Sequence, residues 1–414
     1  MTLAYYPSNV RERVPAKVFA KAQLLTQDTR YADIGYEFDE KKFLERTAAR
    51  LQARDSRGDL PEGWPRVLHG PLVWTGSDFS DESRFVYHLS GCDKADIKNA
   101  LAYFKSKCLG RKGSDVDESS FPLRSLGKTL STIRTDVYEG VGFATIRGLE
   151  VEEFSHDDLV TIYLGITSYV AEKRGKQNQE GVMMTDKGKV NVINNSDVVE
   201  SPLLTYQPFH TDLVCDTVAL LTVSCGKSGG SGFVASAWTV YNELAATRPD
   251  LIRVLAEPNW PFDTHGRNPP FYERALLYFE DGRLLTNFSK QSLVGQKPIS
   301  PRTPGIPGLS EAQAEALDAL HAVGRRYEFR QSMEKGDIRF FNNLALMHRR
   351  DTYTDSPENY RHLLRLWLHS ESVCWKLPAD LQLAWDRTFK DNDRKERCCG
   401  STPIGEGYRR VGVG

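Results

Sequence analysis

Apolar positions change their period along this chain, and the change marks its organisation. Over roughly the first 130 residues the pattern is irregular and mostly helical. Ser90-Gly91-Cys92-Asp93 supplies a cap, and Ile97, Leu101 and Phe104 then fall on one helical face. Gly110 to Glu118 is charged and glycine-containing, the texture of an exposed loop. From about residue 140 short β-type runs take over. Gly142 to Leu149 reads as a strand closed by a turn, and Ser155 then caps a helix whose apolar run is Leu159 to Ala171. Strands are predicted at Val190–Ile193, Thr217–Ser224, Phe233–Ala235, Asp337–Phe341 and Arg361–Leu368. A hairpin is predicted from Ala275–Phe279 and Arg283–Phe288 across Glu280-Asp281-Gly282. Helices interrupt these strands at about 239–255 and 311–325.

Many short strands with inserted helices predict a mainly β protein, a sandwich or barrel core carrying helical decoration. Residues 1–130 are expected to form a mostly helical extension packed on that core, 131–390 the core domain, and 391–414 a polar tail.

Composition narrows the function classes. Fifty-four Lys and Arg against 55 Asp and Glu leave a net charge of -1, so there is no basic excess to neutralise a phosphate backbone, and nucleic acid is not an expected partner. No apolar run reaches the length of a bilayer span, and Met1 to Val10 lacks the pattern of a secretory signal. Seven cysteines, an odd number with no C-x-x-C pair, argue against a disulfide framework or a zinc ribbon. A cytoplasmic protein is expected.

The sharpest local feature is His210-Thr211-Asp212. At a strand or strand end, residues i and i+2 share a face, so an imidazole and a carboxylate there can hold one ion. Two histidines and one carboxylate on one side of a metal leave three positions open for an organic co-substrate and O₂, as in non-haem iron(II) oxygenases. His156-Asp157-Asp158 has the same spacing but sits at a predicted helix start, where i and i+2 diverge and the acids suit the helix dipole. A third ligand is expected far downstream on another strand. His348 is the best candidate, after the turn and strand Gly336 to Asn343; His362 and His369 are rivals, His265 in a loop stays open, and His321 reads as a surface or interface residue of an amphipathic helix.

Arg361 to His369 alternates with period two. Arg361, Leu363, Arg365, Trp367 and His369 share one face, and His362, Leu364, Leu366 and Leu368 the other. Guanidinium is the natural partner of a carboxylate held bidentately. One arginine therefore suits the distal carboxylate of a dicarboxylic co-substrate, and the other an anionic substrate. Asn194, Asn195 and Gln207 offer neutral hydrogen bonds close to the metal strand in sequence, and Phe209, Phe340, Phe341 and Trp367 an apolar wall, though aromatics more often serve as core.

Together these features resemble the taurine dioxygenase/TfdA-like family of iron(II)- and 2-oxoglutarate-dependent dioxygenases. The resemblance runs from about Gly142 to His369 and includes His210-Thr211-Asp212, Gly229-Gly230, Val240 to Leu244, and His348 with Arg361 and Arg365. Gly70 to Trp74 and Phe121 to Leu123 look like the fungal, secondary-metabolism branch, which includes enzymes that oxidise or cyclise amino acids. The resemblance implies a double-stranded β-helix (jelly-roll) core. It implies Fe(II) on His210, Asp212 and His348, 2-oxoglutarate on Arg361, and an acidic or amino-acid-like small molecule facing Arg365; Asn194, Gln207 and Phe341 are the further substrate contacts expected from their own position and residue type. Hydroxylation, desaturation or ring closure would follow, with succinate and CO₂ released. One departure stands out: the family often has a threonine that helps to hold 2-oxoglutarate, where this chain has Gly232. Ser231 is the expected substitute.

Two other readings compete. Gly226-Lys227-Ser228-Gly229-Gly230 fits G-x-S-x-G, so Ser228 would be a hydrolase nucleophile if a helix followed it. The run is no phosphate loop, because Leu221 stands where the first glycine belongs. A barrel that binds a ligand without turnover is the non-enzymatic alternative.

Overall fold

In a computed structural model, residues 31–53, 58–107, 115–177, 206–356 and 359–390 and the backbone of 184–187 are described. The predicted tail 391–414 and the predicted strand at 190–193 lie outside the described residues.

Two sheets form the centre. The larger uses β1 (Val86–His88), β2 (Phe143–Arg147), β3 (Lys173–Arg174), β4 (Met184–Lys187), β6 (Thr217–Ser224), β9 (Ile338–Asn342) and β11 (His362–His369). Its order is β1-β2-β9-β6-β11-β3, with β4 also on β11. The smaller sheet uses β5 (Gln207–His210), β7 (Gly232–Ser236), β8 (Phe329–Gln331) and β10 (Leu346–Arg350), in the order β8-β7-β10-β5. Strands distant in sequence are neighbours in both sheets. The segment before residue 131 contributes β1, parallel to β2, and the buried side chains Leu72, Trp74, Phe79 and Phe85.

Alternation along the strands sorts the side chains to two sides of the large sheet. Ala219 and Leu221 on β6, Ile338 and Phe340 on β9, and Leu364, Leu366 and Leu368 on β11 pack in one cluster under three helices. These are α2 (Gly91–Lys107), α3 (Leu126–Tyr138) and α4 (His156–Ser168), after the N-terminal α1 (Glu40–Gln52). Val218, Phe341 and Trp367 lie on the other side, toward the small sheet. Burial of that helix-side stripe fixes the register of β11, since a slip of one residue would put Arg365 under the helices.

The predicted helix at 239–255 is two helices, α5 (Ala237–Thr247) and α6 (Pro249–Ala256). Pro249 lacks an N–H and pushes Arg248 out of helical geometry, to φ -144 and ψ 64. The predicted hairpin is present as Leu277–Glu280 with Arg283–Thr286. Its turn residues Asp281 and Gly282 both have positive φ, 52° and 76°, as a two-residue turn requires.

Helix α7 (Glu311–Tyr327) backs the small sheet. Gly324 permits the close approach, because a Cβ there would lie 3.0 Å from Phe209 and 3.4 Å from Met347. His321 on this helix is buried at the helix–strand contact, not at the surface. It bonds Tyr206 Oη at 2.8 Å and accepts from the Phe209 amide at 3.3 Å. Helix α1 docks on α7 through Arg46, which bonds Glu311 at 2.8 Å and Asp318 at 3.1 Å.

Candidate metal centre and co-substrate pocket

His210 and His348 are cross-strand partners on β5 and β10, with ring centroids 4.1 Å apart. Strand β5 ends at His210, so Asp212 is delivered by a hydrogen-bonded loop and not by strand alternation. Asn343 clamps that loop: its Oδ1 accepts from the Asp212 amide at 2.8 Å, and its Nδ2 donates to the carbonyls of Asp212 at 2.6 Å and Cys215 at 3.0 Å. Trp367 Nε1 donates to Asp212 Oδ2 at 2.7 Å, and Arg365 Nη1 donates to both carboxylate oxygens at 2.9 and 3.0 Å. One ligand atom from each of His210, Asp212 and His348 lies within 4.8 Å of the others.

Protonation states suit a cation. Burial opposes ionisation of Asp212, but Arg365, the two histidines and Trp367 overcome it and pull the carboxyl down to about 2. Burial lowers the pKa of His210, and that of His348 falls well below the ordinary range through burial and the neighbouring His210. Both imidazoles are therefore neutral near pH 7. The Pro208 carbonyl, 2.9 Å from His210 Nδ1, can only accept, so Nδ1 carries the proton and Nε2 keeps its lone pair. Gln207 Nε2 approaches that lone pair at 3.1 Å. His348 Nδ1 is buried without a hydrogen-bond partner. Two neutral imidazoles and an ionised carboxylate, one imidazole nitrogen orphaned, fit a divalent transition metal.

Arg365 lies on β11, whereas Arg361, predicted on the same strand, stands just before it, ahead of a register shift at His362 and Leu363, and the two have different surroundings. Arg365 is committed to Asp212 and, through Nε, to Gln177 Oε1 at 3.1 Å. Arg361 is buried, and its Nε has no partner. Burial and repulsion from Arg350 and Arg339 push its pKa down to about 9. Phe341 packs on the His348 ring, centroids 4.9 Å apart. Ser231 Oγ accepts from Arg330 at 2.9 Å, while its neighbours Gly230 and Gly232 are the residues that turn toward Arg361 and Arg339. Asn194 and Asn195 lie outside the described residues.

The competing features separate cleanly. His156 opens helix α4, whose N-cap Ser155 accepts from Asp158 N, so the decoy cannot chelate. Ser228 is exposed in a two-residue strand paired with Tyr353–Thr354, and β7 follows it where a nucleophile elbow needs a helix. His362 is not among the residues grouped with His210 and Asp212, and His369 is bound to Asp216 at 2.7 Å. His265 bonds through its amide to Asp263. Asn343, Gln177 and the indole of Trp367 were not singled out as ligand supports in the sequence. A run of two asparagines closing a strand, Asn342-Asn343, was the only signal for the first.

Two sheets enclosing a His-Asp-His face fit the facial-triad ligand set of a non-haem iron oxygenase. The chain belongs to the taurine catabolism dioxygenase TauD, TfdA family, whose profile matches residues 107–367. It is a 2-oxoglutarate-dependent non-haem iron dioxygenase, using Fe(II), 2-oxoglutarate and O₂. It is 30% identical over 339 residues to the taurine hydroxylase-like protein SAT17 of Stachybotrys chartarum, covering 80% of this chain and 87% of that one. With the FR-33289 synthase of Streptomyces rubellomurinus it is 28% identical over 74% of this chain and 91% of the other. A solved asparagine oxygenase with Fe(II), 3-hydroxyasparagine and succinate shares the fold, with a TM-score of 0.54, 14% identity, and coverage of 69% of this chain and 93% of that one. Among the described residues, no helix is long and apolar enough to cross a membrane.

Proposed function

We propose that His210, Asp212 and His348 hold Fe(II) inside a double-stranded β-helix, that Arg361 binds the distal carboxylate of 2-oxoglutarate, and that Arg365 meets the anionic group of a small amino-acid-like substrate. The observation that carries this reading is the pairing of a three-ligand face, with His210 and Asp212 buried and His348 half-buried, with a buried arginine whose Nε lacks a partner. The relatives support the substrate class: an asparagine oxygenase shares the fold, and the curated relatives are a taurine hydroxylase-like protein and a synthase. Secondary metabolism is the setting that fits them.

Bound iron supplies O₂ activation coupled to oxidation of 2-oxoglutarate to succinate and CO₂, and thereby oxidation of the substrate. The chain's own work is positioning and charge. Pro208 fixes the tautomer of His210. Trp367 and Arg365 keep Asp212 ionised, and Asn343 holds its backbone. Arg361 contributes a cation in a site that burial has stripped of water, where a carboxylate is bound tightly. Arg365 already stands on a metal ligand, so an anion that it recruits is delivered beside the iron. Phe341 forms an apolar wall against His348, and Gln207, whose amide meets the His210 nitrogen, would offer that amide to the substrate if a metal took its place. Ser231, held by Arg330, is not needed for co-substrate binding in this reading.

Succinate release with Fe(II) and 2-oxoglutarate, screened over amino acids and small carboxylic acids, tests the assignment. The expected result is substrate-dependent succinate formation matched by oxidised product, with Arg365→Ala, assayed at saturating Fe(II) because Arg365 also supports Asp212, raising the substrate KM at least tenfold and leaving the 2-oxoglutarate KM within about twofold. Equal loss of affinity for both, or turnover only with cationic or neutral partners, overturns the role of Arg365.

A further inference from the structure

A third arginine in this pocket has no role in the reading above. Arg339 on β9 pairs across the sheet with Leu220 on β6, and Leu220 pairs in turn with Arg365 on β11. Directly paired residues share a sheet face, so Arg339 and Arg365 look into the same space between the sheets. Arg339 is only 3% exposed. Its Nε has no partner, and its Nη2 meets only the Met333 sulfur, at 3.4 Å. Asp337, the acid that acts on it most strongly, is committed to Arg147 at 2.9 Å. Arg361 is buried in the same way with its Nε unpartnered, and the two guanidinium groups repel each other. Among the described residues neither guanidinium group is held in an ion pair, and Asp337 and Asp355 act on them only from a distance; burying two such cations is costly, and a bound anion would relieve that cost.

Gly232 completes the arrangement. A Cβ at that position would lie 3.2 Å from Arg339 Nη1, and one at Gly230 would lie 3.2 Å from Arg361 Cδ. The missing side chains make room for the guanidinium groups. Where the family often carries a threonine hydroxyl, this chain leaves a space beside an arginine tip.

We propose that Arg339 is a second anchor for the distal carboxylate of 2-oxoglutarate, acting with Arg361 and admitted by Gly232. The inference rests on the reading of Arg361 given above. One carboxylate then meets two guanidinium groups, which makes the distal charge a strong determinant of co-substrate choice. A five-carbon 2-oxo acid that ends in a methyl group, 2-oxopentanoate, shares the metal-chelating end and lacks that charge.

Anaerobic binding of 2-oxoglutarate and of 2-oxopentanoate to the Fe(II) protein, by calorimetry, separates the outcomes without turnover. Arg339→Met is expected to weaken 2-oxoglutarate binding tenfold to a hundredfold and to change 2-oxopentanoate binding by less than about twofold. The metal-free variant is expected to melt no lower than the parent, because an uncompensated buried cation has been removed. Gly232→Val, which drives a side chain against Arg339 without adding a hydroxyl, is expected to give the same selective loss and serves if the first variant does not fold. Equal weakening of both acids, unchanged 2-oxoglutarate affinity, or a lower melting temperature with unchanged selectivity overturns the proposal. Arg361→Met is the reference. If it alone loses 2-oxoglutarate selectively, Arg339 is not an anchor and the reading of Arg361 stands; if neither variant does, both fall.

Discussion

Replacing Asn343 with aspartate changes almost no volume but reverses half of the hydrogen-bonding pattern behind the metal carboxylate. Asn343 is fully buried and makes three bonds, two of them donated by Nδ2 to the carbonyls of Asp212 and Cys215 at 2.6 and 3.0 Å. In Asn343→Asp those carbonyls face an oxygen that cannot donate, while the bond from the Asp212 amide survives. Two lost bonds cost about 2 kcal/mol, and leaving the two buried carbonyls unsatisfied adds roughly as much again. At about 2 cal/mol/K per residue of unfolding entropy, a total near 3 to 4 kcal/mol lowers the melting temperature of a chain this size by about 4 °C. The metal should suffer as well, since groups that orient ligands typically change affinity about 10- to 100-fold. Calorimetric melting of the metal-free protein and anaerobic titration with Fe(II) read the two effects. A variant that melts within a degree of the parent and keeps its Fe(II) affinity refutes the claim that Asn343 sets the position of Asp212.

Other perturbations test neighbouring parts of the account. Trp367→Phe keeps the ring but removes the donor 2.7 Å from Asp212 Oδ2, so Fe(II) binding should weaken about 10- to 100-fold with little change in fold; unaltered affinity contradicts the role given to the indole. His321 is pushed down to about 3, chiefly by burial, so between its ordinary value and 3 only the unfolded chain takes up its proton. Its contribution is therefore complete above pH 6.5 and lost on acidification, by about 2 kcal/mol at about pH 5, and His321→Gln should flatten the fall in urea midpoint over that range. An unchanged slope in that variant assigns the acid sensitivity elsewhere. Gly324→Val forces a side chain to within 3.0 Å of Phe209 and should cost about 1 to 3 kcal/mol, read as a lower urea midpoint at constant slope.

Alternation made the large sheet readable in advance. Thr217–Ser224 was bounded to the residue because a β-branched, apolar run ends at Cys225-Gly226. Period two in β11 also separated Arg365 and Trp367 from Leu364, Leu366 and Leu368, whereas the register shift that leaves Arg361 outside the strand had no sign in the sequence. Elements whose apolar residues are sparse were less visible, such as helix α1, whose buried side chains are Arg46 and Arg50. Strand β10, Leu346–Arg350, was not predicted either, since Arg349 and Arg350 obscure its alternation; Arg349 is paid for by Glu328 and Asp351. The three metal-ligand candidates were legible because their chemistry is local or recurs at family spacing. Their supports were not, because Asn343 and Trp367 reach Asp212 from 131 and 155 residues away in sequence. Arg339 was hidden for a different reason: an arginine between isoleucine and phenylalanine on a strand reads as a salt-bridged or exposed residue until its surroundings are seen.

Anaerobic addition of 2-oxoglutarate to the Fe(II)-loaded protein tests the central claim most directly, through the visible charge-transfer band that a chelated 2-oxo acid produces. One Fe(II) per chain is expected, with a band that saturates with 2-oxoglutarate and loss of both metal and band in His210→Ala and His348→Ala. A band and a metal content that survive both substitutions would contradict that claim, placing the iron somewhere other than between these two strands.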